Sequence, residues 1–241
     1  MIAVVTEQRV ELADGDLKVR AGFRAAGETF LAGGPIQLEF VVECLGRVGV
    51  HVLGGMDIST QRPMLYSFRG ELVGGSAALD DPQAGAELLG GPSGTSVVEP
   101  GETLRVPLLL NEFLLLDRLI AVLPPGGEGA LHVHAERPLP LARSRAEAFC
   151  VGPGAPVVAG DLRLSVRRDD EALKRLIDSL RRSIEADATS VVSPERQRAI
   201  DQLATIGTKE ARRALETLRG HPDPWVATRL ASIAARPVQP I

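Results

Sequence analysis

Hydrophobic and polar positions along this chain follow one rule up to Arg168 and another from Asp169 onward. In the first part, apolar residues come in short runs, several alternating with polar ones. A period of two predicts strands with one face on a core and the other in solvent. Such runs occupy residues 17–23, 36–44, 48–53, 64–73, 103–110, 130–136 and 157–166. In the last, Leu162, Leu164 and Val166 share one face while Arg163, Ser165 and Arg167 share the other. The breaks carry turn chemistry: Gly33-Gly34-Pro35, Gly74-Gly75, Gly90-Gly91-Pro92, Pro100-Gly101 and Pro124-Pro125-Gly126-Gly127. Seven short strands punctuated in this way predict an antiparallel β-sandwich over residues 1–168. Residues 111–119 fit no strand and suit either one helical turn or a bulged crossing between sheets.

From Asp169 the period lengthens. Leu173, Leu176, Ile177, Leu180 and Ile184 form one apolar helical stripe, with Asp169 or Asp170 as its cap. Glu171/Arg175 and Asp178/Arg182 stand four apart on its wet face. Ser193-Pro194 opens a second helix through Ile200, Leu203 and Ile206, ending at Gly207. Thr208 caps a third, carrying Ala211, Leu215 and Leu218 and stopping at Gly220. Asp223-Pro224-Trp225 starts a fourth with Val226, Leu230 and Ile233, and the prolines of 236–241 predict an extended tail. Residues 169–241 therefore read as a separate α-helical domain. A helical segment of about 70 residues buries a marginal core alone. Its stripe is expected to lean on the sandwich or on a partner.

The phrase Leu203-Ala204-Thr205-Ile206 returns as Leu230-Ala231-Ser232-Ile233, 27 residues later. With the stretch from Arg198 to Leu218, it resembles a HEAT-like repeat of the short bacterial type, in which a Gly-ended helix and a second helix precede a new Asp-Pro start. The resemblance covers about 45 residues, roughly one and a half units where solenoids take about three. It implies protein binding. Gly27-Glu28, the run from Pro35 to Glu43, Arg62 to Phe68 and Pro100 to Leu104 together are similar to a bacterial immunoglobulin-like domain. Some intracellular proteinase inhibitors share that cadence, which speaks to fold rather than function.

Charge narrows the partner. The net charge is −4; residues 1–168 hold 15 Lys and Arg against 20 Asp and Glu, and residues 169–241 hold 12 against 11. Phosphate neutralisation needs a basic excess, so nucleic acid is not an expected partner. No run of about 18 apolar residues occurs, so no spanning helix is expected. The start of the chain lacks a basic leader ahead of a long apolar stretch. With two cysteines, Cys44 and Cys150, there is no disulfide framework, and a reduced cytoplasmic protein without cofactor is expected.

Candidate chemistry is sparse. On a strand, His132, His134 and Glu136 share one face while Leu131, Val133 and Ala135 point inward. That face reads either as a set of zinc ligands or as an ordinary solvated surface; spacing suggests no fourth ligand, with His51 the other plausible donor. The loop 54–63 displays Asp57 and Arg62 as candidate binding residues, or as a local pair. Trp225, the one tryptophan, suits either an interface anchor or the helical core. Gly90 to Ser96 lacks the Lys-Ser/Thr ending of a phosphate loop, and no Gly-x-Ser-x-Gly, Cys-x-x-Cys or His-Glu-x-x-His occurs. The chain is thus expected to be a non-enzymatic adaptor or scaffold that holds another protein. The alternatives are a protease inhibitor presenting loop 84–98 and a zinc hydrolase using His132, His134 and Glu136.

Overall fold

The computed structural model describes residues 4–55, 62–73, 78–83, 94–150, 154–186 and 193–234. The protein is mixed α and β, with antiparallel sheets and six α-helices among the described residues. It divides into two compact units. The first comprises Met1–Glu28, Ile36–Leu114 and Ala130–Ser165. The second gathers Thr29–Pro35 and Leu115–Gly129 with Val166–Ile241.

In the first unit β1 (Glu7–Asp14) and β2 (Leu17–Ala25) form a hairpin in which Asp14 pairs with Leu17. Two residues remain for the loop. Gly15 takes φ 58° and Asp16 keeps a negative φ, which defines a type II′ turn and explains the glycine at the first loop position. β2 then pairs with β4 (Gln37–Cys44), which pairs with β9 (Thr103–Leu109). A second sheet runs in the order β11 (Val157–Arg167), β10 (Glu128–Pro138), β6 (Ser67–Leu72), β7 (Ala78–Leu79). A separate ribbon joins β5 (Val50–Gly54) to β8 (Gly94–Val98). Each of the seven expected runs overlaps one of these strands; β1, β7 and β8 lie outside the expected runs.

Inner faces of the two larger sheets meet through aromatic rings. Phe23 on β2 lies 5.2 Å from Phe40 on β4 and 5.9 Å from Phe68 on β6. Outer positions of β1, β2, β4 and β9 carry cross-strand ion pairs, among them Arg20 with Glu11 and Glu43, and Glu39 with Arg24 and Arg105. Exposed pairs of this kind favour one register more than they add stability. The stretch left open by the sequence contains both helical and irregular turns: a 3₁₀ turn at Leu110–Glu112, then the one-turn α1 (Arg118–Val122), which belongs to the second unit. Asn111 Oδ1 accepts from the Ile36 amide at 2.8 Å, and Leu110 donates to the Ile36 carbonyl at 2.9 Å. A Cβ at Gly70, beneath this turn, would stand 2.6 Å from Leu114 Cδ1, so that side chain would have to shift. A short α2 (Arg145–Phe149), capped by Ser144, completes the unit.

The second unit also holds β3 (Thr29–Leu31) and four longer helices: α3 (Asp170–Glu185), α4 (Pro194–Ala204), α5 (Lys209–Leu218) and α6 (Pro224–Ala234). All four start where capping chemistry predicts. Asp169, Ser193 and Thr208 accept from the amides of Ala172, Arg196 and Ala211. The α3 stripe of Leu173, Ile177, Leu180 and Ile184 is buried in one cluster with Ile200, Leu203 and Leu218. It is therefore covered inside its own unit by α4 and α5. Two expected surface pairs differ. Glu171 binds Lys174 at 2.7 Å rather than Arg175, and Arg182 Nε donates to the Asp178 carbonyl at 3.3 Å rather than to its carboxylate.

Arg196 fastens the helices. It is 1% exposed and donates to the Ile184 carbonyl (3.0 Å) and to Asp223 Oδ2 (2.8 Å), with His221 Nε2 at 3.2 Å. Asp223 in turn accepts from the Trp225 amide at 2.9 Å, and this backbone bond holds its carboxyl below the usual range. Leu203→Ala, at a fully buried α4 position, is expected to cost about 2–5 kcal/mol in chemical denaturation, against about 0.5 kcal/mol or less for Arg198→Ala on the exposed face.

Candidate functional site

Strand β10 carries chemistry on both faces because its side chains alternate. Leu131, Val133 and Ala135 are fully buried, and His132, His134 and Glu136 stand half-buried on the opposite face. The expected trio thus shares a face, and neighbouring strands add two carboxylates to it. His134 Nδ1 lies 2.9 Å from Asp161 Oδ1 on β11, and its Nε2 lies 3.2 Å from Glu136 Oε1. His132 sits 3.4 Å from both Asp161 Oδ1 and Glu71 Oε1. Each imidazole is therefore flanked by two carboxylates and engaged with them directly. Hydrogen bonding to Asp161, then to Glu136, raises the His134 pKa above 6.5, and the same bond lowers that of Asp161 below 3.8. Among the described residues no group of three or more His, Cys, Asp and Glu side chains is arranged to hold a metal ion. His51 lies on β5, in a different sheet.

The inward alternation of β10 continues one step past Ala135, and that step is Arg137. The guanidinium is 2% exposed. Its carbon lies 4.5 Å from the Phe40 ring centre and 4.6 Å from that of Tyr66. Nη1 donates to the Tyr66 hydroxyl and Nη2 to the Leu53 carbonyl. No carboxylate accompanies it among the described residues, and Nε is buried without a hydrogen-bond partner. An unmade buried hydrogen bond costs about 1–3 kcal/mol. Burial lowers the Arg137 pKa from its ordinary value, and burial also pushes the Tyr66 hydroxyl up to about 12, so that phenol stays neutral.

A cavity of about 60 Å³ adjoins the guanidinium. Among the described residues its lining includes Pro63, Met64, Tyr66, Ser96 and Val106, with Arg137 the one charged side chain. Ser96 on β8 is exposed, so the cavity reaches the surface there. The approach to Tyr66 is strained. Leu65 has φ 72°, the one left-handed non-glycine among the described residues, a conformation that costs roughly 1–2 kcal/mol. Apolar alternation along this strand ends at Ala135, so the sequence expectation ends at Glu136 and leaves out Arg137. Its signal was a charged residue at the next core-facing position, just ahead of Pro138.

Of the other expected binding residues, Asp57 lies outside the described residues. Arg62 is 16% exposed, binds both oxygens of Asp81 at 2.8 Å and stands 5.2 Å over the Phe113 ring. Its carboxylate partner is therefore Asp81. Trp225 is half-buried and packs against the helical core. Within loop 84–98, residues 84–93 lie outside the described residues, and Gly94–Val98 is strand β8. Cys44 is buried, Cys150 is exposed, and both are free thiols. Among the described residues no helix is long and apolar enough to cross a membrane.

No protein-family model matches the chain, and no curated protein matches it. Among solved structures it has a distant likeness to the crystal structure of Spo0M, a sporulation control protein from Bacillus subtilis, at 14% identity and a TM-score of 0.31. That likeness covers 69% of this chain and 56% of the other, and at this level it carries nothing over.

The imidazole face supplies a signed prediction. His134 has a raised folded pKa, so its contribution is complete below pH 6.5 and is lost as pH rises through that raised value. Asp161, with a lowered pKa, contributes above pH 3.8 and loses this as pH falls through its folded value. An NMR titration is expected to show His134 titrating above 6.5, with His134→Gln reducing the loss of thermal stability between mildly acidic and mildly alkaline buffer.

Proposed function

We propose that this chain is a non-enzymatic binding protein, an adaptor or scaffold that holds another protein. The first unit is read as an immunoglobulin-like sandwich and the helices as a HEAT-like fragment. The antiparallel strand pairing supports the first reading and the Pro-capped helix starts the second. The observation that carries the function is the Arg137 cavity. It offers a desolvated cation, the Tyr66 side chain and an exposed rim, which is recognition chemistry. Among the described residues its lining has no Asp, Glu, His, Lys or Cys, so none of them there exchanges a proton near neutral pH or is an activated nucleophile. The near-neutral charge of the helical part and the acidic balance of the strand-rich part favour a protein over nucleic acid. Two free thiols, one of them exposed, suit a reducing compartment, so the working location is the cytoplasm.

The test is affinity capture from a lysate of the source organism with the full chain and with its Arg137→Lys variant, read by quantitative mass spectrometry. One protein enriched in near-stoichiometric amount by the wild type and reduced at least tenfold by the variant is expected. No protein enriched over a blank column would end the binding reading.

A further inference from the structure

We infer that His221 is an acid-sensitive catch that holds the start of α6 to α3 and α4. The catch lies in the second unit and does not depend on the cavity beside Arg137. His221 stands in the turn between α5 and α6, where its amide donates to the Leu218 carbonyl at 3.0 Å. Both ring nitrogens face donors. Nδ1 lies 3.1 Å from the Asp223 amide nitrogen, and Nε2 lies 3.2 Å from Nη2 of Arg196. An amide N–H and a guanidinium can only donate, so each contact is a hydrogen bond only where the imidazole accepts. A neutral imidazole has one lone pair and serves one of the two donors; an imidazolium has none and serves neither. Protonation therefore removes the remaining bond and sets a second cation beside the guanidinium.

The surroundings give that change a direction. The Arg196 side chain is fully buried and bound to the Ile184 carbonyl at the end of α3, which holds the guanidinium in place. Asp223 lies close enough to offset a second cation, but its oxygens are engaged. Oδ2 accepts from Arg196 Nη1 at 2.8 Å and Oδ1 from the Trp225 amide at 2.9 Å. Glu185 on α3, Glu195 on α4 and Arg229 on α6 pair with Arg181, Arg198 and Asp201. Arg219, at the end of α5, is exposed and adds positive charge. His221 is half-buried, so its ring borders water and is the member of the set that leaves. The Asp223 amide then loses its acceptor two residues ahead of Trp225, and the first turn of α6 loosens. The direction is opposite to that at His134, whose two nitrogens face carboxylates and gain from a proton.

Trp225, the one tryptophan of the chain, reports on this turn. The experiment compares the full-length wild type with His221→Gln between about pH 8 and about pH 5, the window in which imidazoles titrate. It reads the tryptophan emission maximum and the quenching of that emission by acrylamide. In acid the wild type is expected to shift to the red and to gain about twofold or more in quenching constant. His221→Gln, which keeps a neutral acceptor but takes up no proton, is expected to hold its alkaline values. His134→Gln, in the first unit, is expected to respond as the wild type does. A second measurement needs no variant. By NMR of the wild type, the protection of the Asp223 amide from solvent exchange is expected to fall about tenfold as the His221 ring titrates. Constant emission and quenching in the wild type, an equal response in His221→Gln, or loss of the response in His134→Gln would each overturn the inference. So would a His221 ring that titrates while the Asp223 amide keeps its protection.

Discussion

Arg137 carries a positive charge into the interior of the first unit with no carboxylate among the described residues to meet it, and much of that unit is arranged around the consequence. Removing an ion from water costs several kcal/mol even after relaxation. Here the offset comes from two ring faces, Phe40 and Tyr66, and from two neutral acceptors. Desolvated cation–π contacts and hydrogen bonds from a charged donor are each worth roughly 2 kcal/mol, so four of them are of the size required. They draw on β4, β5 and the approach to β6, which the cation thereby ties to β10. The left-handed Leu65 belongs to the same arrangement. A backbone that accepts unfavourable φ to deliver one tyrosine indicates how narrowly that tyrosine is specified.

Arg196 shows the ordinary solution to the same problem. It too is buried, but it finds Asp223, a carbonyl and an imidazole, and it joins α3, α4 and the start of α6. A cation satisfied in this way is an internal fastener. The two arginines differ in what remains open. Arg196 has its carboxylate in the chain, whereas Arg137 lines a cavity and has its Nε buried without a partner.

Legibility in the sequence followed from how local each signal was. Helix starts depend on a cap and its next three amides, so Asp169, Ser193, Thr208 and Asp223-Pro224 were readable directly. Alternating strands such as 36–44 and 157–166 were equally clear. The strand β1 was missed although Asp14-Gly15 is a hairpin signal, because the residues before it alternate poorly. Strands β7 and β8 are short and exist by pairing with β6 and β5, a non-local cause. The His132, His134 and Glu136 face was read correctly in orientation, since period two suffices. Asp161 and Glu71 came from strands whose register the sequence did not supply.

Arg137 illustrates a different failure. Apolar patterning ends a strand where apolar residues end, so an arginine at an inward position is read as the boundary instead of the next core residue. Burial of a charge is improbable as a default, and that makes the exception informative. One strand therefore presents two unlike environments at adjacent positions. Outward, His134 and Glu136 form a solvated network with Asp161 in which every charge has a partner. Inward, Arg137 has aromatic faces and neutral acceptors. A strand can support both because its alternation isolates the faces from one another, leaving the inner cation unneutralised by the carboxylates on the outer one.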